Sequence, residues 1–183
     1  MNLYINACVR TESRTDKIAR ALLEKLGEYE EVCLAKMGLK PLDEETLQKR
    51  TNLVMARNYD DSMFDLAKQF ASAEKIVIAA PHWDISFPAL LKIYIENVYV
   101  TGIVSKYNEK GIPQGLCRGD KLYYISTSGG PLVEEFGYGY IRDLATKYMG
   151  IKETCLIKAE MLDVDGFDSE KIVNDTINGL SME

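Results

Sequence analysis

Histidine is nearly absent: His82 is the only one in 183 residues. That excludes a histidine-rich zinc site and leaves any Ser-His-Asp or Cys-His arrangement one histidine to draw on. Cysteine is sparse and scattered, and Cys8, Cys33, Cys117 and Cys155 form no Cys-x-x-Cys pair. Cys33 and Cys155 fall in expected strands and read as small buried apolar residues. No apolar run approaches the roughly 20 residues that span a bilayer. The amino terminus passes from Met1-Asn2 straight into Leu3-Tyr4-Ile5, without the basic and long apolar regions of a leader, so a cytoplasmic protein is expected. Excess positive charge is missing too: 22 Lys and Arg stand against 28 Asp and Glu, a net charge of -6. This argues against a broad footprint for nucleic acid or an anionic membrane and leaves room only for a local basic pocket. There is no Gly-x-Gly-x-x-Gly and no Gly-Lys-Ser/Thr, so the dinucleotide fingerprint and the P-loop are both lacking.

What is present is alternation. Leu3 to Ala7, Glu31 to Ala35, Ile76 to Ala80, Lys121 to Thr127 and Thr154 to Ala159 read as strands, and between and after them run segments of helical apolar spacing. The run Ile76-Val77-Ile78-Ala79-Ala80 suits a strand buried on both faces. Alternating strands and helices predict an α/β fold in one domain over 1–183: a five-stranded parallel sheet of order 2-1-3-4-5 with helices on both faces. Residues 101–120 carry Gly102, Gly111, Pro113, Gly115 and Gly119 without clear periodicity and read as a lid or a linker.

In such a sheet the loops after strands 1, 3 and 4 meet at one edge. After strand 1, Arg10, Ser13, Arg14 and Thr15 precede a helix. Ser13 with Asp16 fits a variant capping box, and the same helix start could hold a phosphate. After strand 3 comes Pro81-His82-Trp83-Asp84-Ile85-Ser86-Phe87, then Pro88 opening a helix. After strand 4, Thr127-Ser128-Gly129-Gly130 is either a plain turn or a backbone cradle for a flat ligand. Together the three loops describe a site for a phosphorylated planar ring, and flavin mononucleotide (FMN) fits best. Arg10, Ser13 and Thr15 would take the phosphate. Pro81, His82, Trp83, Asp84 and Ile85 would border the ring on one side, and Thr127, Ser128, Gly129 and Gly130 on the other.

The stretch Pro81-His82-Trp83-Asp84-Ile85-Ser86-Phe87-Pro88-Ala89-Leu90-Leu91-Lys92 resembles the ring-binding loop of FMN-dependent NADH-azoreductases and related NAD(P)H:quinone oxidoreductases of flavodoxin-like fold. The resemblance continues through Tyr94-Ile95-Glu96-Asn97, Gly102, Tyr107, Gly111 to Leu116, and Gly129-Gly130. It departs from the family at His82, Asp84 and Ser128, where methionine, asparagine and arginine are usual. The resemblance implies a flavodoxin-like three-layer sandwich holding FMN. It also implies ping-pong transfer of two electrons from NADH or NADPH to a quinone, azo or nitroaromatic acceptor. No side chain need be covalent or catalytic, no metal is required, and a homodimer with active sites at the interface is expected. A flavodoxin-like FMN electron carrier and a flavin-free binding domain are the competing readings.

Overall fold

The computed structural model describes residues 1–181. Strands β1 (Asn2–Asn6), β2 (Tyr29–Cys33), β3 (Lys75–Ala79), β6 (Lys121–Thr127) and β7 (Glu153–Ala159) form one sheet in the order β2-β1-β3-β6-β7. Every neighbouring pair in it is parallel. Counting only these strands, this is the expected 2-1-3-4-5 order. Parallel pairing places helices on both faces, and side chains alternate between two cores. Ile76 and Ile78 of β3 and Leu122 and Tyr124 of β6 pack on one face against α5 (Ala89–Val98) through Leu91, Tyr94 and Val98. Val77, Ala79, Tyr123 and Ile125 pack on the other against α1 (Arg14–Leu26) and α7 (Ser169–Asn178) through Ile18, Leu22, Leu23 and Val173. The connection leaving β1 and the connection leaving β3 therefore cross to opposite faces, and a cleft opens between the carboxyl ends of these two strands.

Several elements differ from the sequence reading. β2 ends at Cys33, and Leu34 begins a single helical turn, α2 (Leu34–Met37), closed by Gly38 in the left-handed region. Val32 and Leu34 are both buried at strand-like spacing, so their alternation mimicked a longer strand. Cys33 and Cys155 lie in strands as expected but are only half-buried; Cys8 is the buried one. Helix α3 (Glu44–Met55) is capped by Asp43, which accepts from the Thr46 N–H at 2.8 Å, and buries no residue. Next come a 3-10 turn (Ser62–Phe64) and α4 (Asp65–Ser72), which returns the chain to the sheet. Residues 101–120 are a folded arm with a small antiparallel hairpin, β4 (Ser105–Tyr107) with β5 (Pro113–Gly115). The Cys117 N–H donates to Met149 O at 3.1 Å and the Arg118 N–H to Ala71 O at 2.8 Å. A Cβ at Gly115 would collide with the backbone of Gly150, so glycine permits this close approach. Helix α6 (Tyr138–Leu144) continues as a π-helical turn (Ala145–Met149) ending at Gly150.

Candidate functional site

The carboxyl ends of β1, β3 and β6 deliver three loops to the cleft. On the first, Ser13 caps α1, accepting from the Asp16 N–H at 3.4 Å. Asp16 does not complete a reciprocal capping box. Its carboxylate instead accepts from the Tyr4 hydroxyl, from Asn6 Nδ2 at 3.0 Å and from Arg20 Nε at 2.8 Å, tying α1 to β1. Thr15 is buried, and its hydroxyl lies 2.7 Å from that of Thr127, joining the first turn of α1 to the end of β6. Arg14, which also lines the cavity, is tied to the segment after β7, to Leu162 O at 3.0 Å and Asp163 Oδ1 at 2.8 Å. Arg10 stands exposed at the mouth of the cleft.

The second loop is pinned where it leaves the sheet, because the His82 N–H donates to Thr127 O at 2.9 Å. Trp83 and Ser86 then exchange both backbone hydrogen bonds, at 3.1 and 2.8 Å. Between them Asp84 (φ 50) and Ile85 (φ 60) are both left-handed, which makes a tight turn of the type I′ kind. Asn-Gly or Asp-Gly is the usual chemistry there; a β-branched residue at positive φ is strained. The Asp84 and Ile85 N–H groups take no part in the bonds that close the turn. Ser86 Oγ donates to Phe136 O at 2.8 Å, fixing the turn to the segment that enters α6.

The third loop is zipped to the segment after β7. Ser128 N–H donates to Ala159 O, Leu162 N–H to Ser128 O, and Asp163 N–H to Gly129 O, at 3.0, 3.2 and 3.0 Å. A Cβ on Gly129 would sit 2.6 Å from Asp163 Oδ2, so glycine makes room for the Asp163 carboxylate. Gly130 meets nothing within 4 Å.

These loops enclose a cavity of about 170 Å³. Of the residues the sequence reading gave to the cofactor, Arg10, Ser13, Thr15, Pro81, His82, Trp83, Thr127, Ser128 and Gly129 line it. Asp84, Ile85 and Gly130 do not: the turn carries the first two outward, and Gly130 lies past the cleft. Asp163 was missed. Its signal was the polar run Asp163-Val164-Asp165-Gly166 at the same sheet edge as the other loops. The volume is below the roughly 300 to 1,000 Å³ of drug-sized ligand sites. It suits a phosphate and its chain, with a planar ring lying on the open rim beside Trp83 and Ile85, which are 42% and 54% exposed. Burial holds the His82 imidazole below its ordinary pKa, partly offset by the negative charge of Glu160. Burial also pushes the Cys8 thiol up to about 11, against a lowering hydrogen bond from Ser13, so this thiol is protonated at neutral pH.

A family model described as flavodoxin-like fold matches residues 2–178. The chain belongs to the flavodoxin-like-fold family. This family member is 39% identical to FMN-dependent NADH:quinone oxidoreductase 2 of Clostridium acetobutylicum, over 96% of this chain and 93% of the relative. It is 36% identical to an FMN-dependent NADH:quinone oxidoreductase of Clostridium perfringens, with the same coverage of each chain. Among solved structures it resembles an FMN-dependent NADH-azoreductase of Bacillus anthracis in complex with FMN, at TM-score 0.81 and 22% identity, over 97% of this chain and 93% of the other. At that identity the structural likeness speaks for the fold, and the curated relatives carry the comparison further.

Proposed function

We propose that this chain is an FMN-dependent NAD(P)H oxidoreductase that reduces quinones and azo or nitroaromatic compounds. The observation that carries this reading is the meeting of the three loops at the switch point of the sheet, around a cavity sized for a phosphate chain. Relatives at 39% and 36% identity are named for this activity with NADH and quinone.

The residues present fit FMN. At the α1 start Arg10, Arg14 and Thr15 line the cavity, and a helix amino terminus favours a phosphate by its dipole and its free donors. Ser13 stands beside them with its hydroxyl. Gly129 presents backbone where any larger residue would press on Asp163. The Trp83 to Ser86 turn offers the Asp84 and Ile85 N–H groups at the rim, where a ring edge gaining negative charge needs donors. Bound FMN supplies the two-electron chemistry, taking electrons from NAD(P)H and passing them to the acceptor. The chain's own part is to bind and orient. The hydrogen bonds from His82 N–H to Thr127 O and from Ser86 Oγ to Phe136 O keep the rim turn in register with the Gly-Gly loop.

The reading extends to assembly and place. Trp83, Ile85 and Phe136 leave apolar surface at the open side of the cleft, and Phe136 is 50% exposed. In this proposal a second copy covers that side, giving a homodimer with its active sites at the interface. The chain works as one domain in the cytoplasm. No helix among the described residues is long and apolar enough to cross a membrane.

Titration with FMN, followed by anaerobic addition of NADH or NADPH and then a quinone, tests the reading. A yellow complex that bleaches with nicotinamide and recovers colour with quinone supports it. A complex that neither nicotinamide bleaches would make the chain an electron carrier, and a folded chain that binds no FMN would remove flavin chemistry altogether.

A further inference from the structure

The proposed reaction does not balance on electrons alone. NAD(P)H and quinone become NAD(P)⁺ and hydroquinone: the nicotinamide gives up two electrons with one proton, and the quinone takes two electrons with two protons. Each turnover therefore consumes one proton from elsewhere. A group that delivers it must face the cleft, exchange with solvent and change charge near neutral pH.

His82 meets all three requirements. It is the single histidine of the chain and lines the cavity at the carboxyl end of β3, half-buried, with its main chain fixed to Thr127. The other ionisable side chains around the cavity are the guanidinium groups of Arg10 and Arg14 and the carboxylates of Glu12 and Asp163. Cys8, under the same loop, is held as a thiol. Asp84 on the same loop points outward, exposed. Just after β7 comes Glu160, whose negative charge favours the imidazolium. Glu160 is itself held in place, accepting from Leu132 N–H at 2.7 Å and pairing with Lys158 Nζ at 3.1 Å, and Lys158 also reaches Glu134 at 2.9 Å.

We propose that His82 supplies the balancing proton to the acceptor. The imidazolium N–H bond breaks as an O–H bond of the hydroquinone forms, and solvent water then returns a proton to the neutral ring. The inference rests on the proposed flavin reading. It assigns a role to the position where this chain carries histidine in place of the methionine usual in the proteins it resembles.

The test uses the FMN-loaded protein, reduced with NADH under anaerobic conditions and mixed with a soluble benzoquinone across pH. A parallel series uses ferricyanide, which takes electrons without protons. With quinone, the reoxidation rate is expected to fall about tenfold per pH unit above a midpoint below the ordinary histidine value of about 6.5. His82→Gln is expected to lower the rate below that midpoint by roughly a hundredfold, the low end of general-acid catalysis, and to flatten the limb. The ferricyanide rate is expected to show no such limb across pH in either protein. Because the chain has one histidine, its imidazole NMR signal titrates alone and needs no turnover. That midpoint should coincide with the kinetic one, and Glu160→Gln, which keeps an acceptor for Leu132, should move both to lower pH. A quinone limb unchanged in His82→Gln, or an NMR midpoint that moves in Glu160→Gln while the kinetic limb does not, overturns the assignment. Failure of the wild-type protein to bind FMN overturns the flavin reading and this inference with it; FMN binding with an unmoved limb overturns the inference alone.

Discussion

The hydroxyl pair Thr15 and Thr127 ties the phosphate-side loop to the Gly-Gly loop, and removing it has a calculable signature. The two oxygens are 2.7 Å apart, with Thr15 1% and Thr127 9% exposed. Replacement by valine keeps the side-chain shape and deletes the hydroxyl. A neutral hydrogen bond contributes about 1 kcal/mol net, while orphaning its buried partner costs about 1 to 3 kcal/mol. The two single variants should differ. Thr15→Val orphans Thr127, which lines the cavity and can turn to water, so it should cost about 1 kcal/mol. Thr127→Val orphans Thr15, which also lines the cavity but is far less exposed, and should cost more, about 2 to 3 kcal/mol. The double variant leaves no orphan and should cost less than the sum of the singles, by a coupling of about 1 kcal/mol or more. For a chain of this size each kcal/mol moves the melting temperature by about 2 to 4 °C. Urea unfolding of the FMN-free protein measures all four corners of the cycle. Additive losses, or a Thr15→Val variant at least as damaged as Thr127→Val, would refute the bond as the link between the two loops.

Ile85 at φ 60 stores strain that glycine would release, so Ile85→Gly should raise the unfolding free energy by about 1 kcal/mol, and the urea midpoint with it; a drop would mean that the turn needs the side chain. Arg10→Ala combined with Ser13→Ala should weaken FMN binding at least tenfold while leaving the melting temperature of the FMN-free protein within a few degrees. Unchanged affinity by fluorescence titration would move the phosphate elsewhere. The Leu132 N–H, ahead of the Lys158 ion pair, holds the Glu160 carboxyl below the usual carboxylate range. Its ionised form is thus favoured in the folded state, and its contribution is complete above the ordinary value and is lost as pH falls through the folded one. The stability difference between wild type and Glu160→Gln should accordingly be present at pH 7 and shrink as pH falls below the ordinary carboxylate value; a constant difference in urea midpoint would show that the carboxylate contributes by packing alone.

The sheet and its order were legible because the strands that set them carry strong signals. Ile76 to Ala80 and Leu122 to Ile125 are apolar at successive positions, as strands covered on both faces must be. The hairpin of Ser105–Tyr107 with Pro113–Gly115 was not legible, since three-residue strands holding Pro and Gly have no periodicity to read. The cleft followed from topology once the loops after β1, β3 and β6 were placed at one edge. What escaped was what the local sequence does not encode. Asp84-Ile85 lacks the glycine that normally marks a left-handed turn, so the outward course of these two residues was hidden. Asp163 is brought to the site by the pairing of β7 with β6, a contact remote in sequence. The hydroxyl contact between Thr15 and Thr127, 112 residues apart, likewise has no local signal.

The central claim is that the three loops make a flavin site used by nicotinamide. One anaerobic titration reads it most directly: the protein saturated with one equivalent of FMN, followed by the yellow flavin absorbance as NADH or NADPH is added. The account predicts full bleaching by nicotinamide and full return of colour on adding quinone. A folded protein that leaves FMN free in solution, or a bound flavin that stays yellow with both nicotinamides, would contradict it.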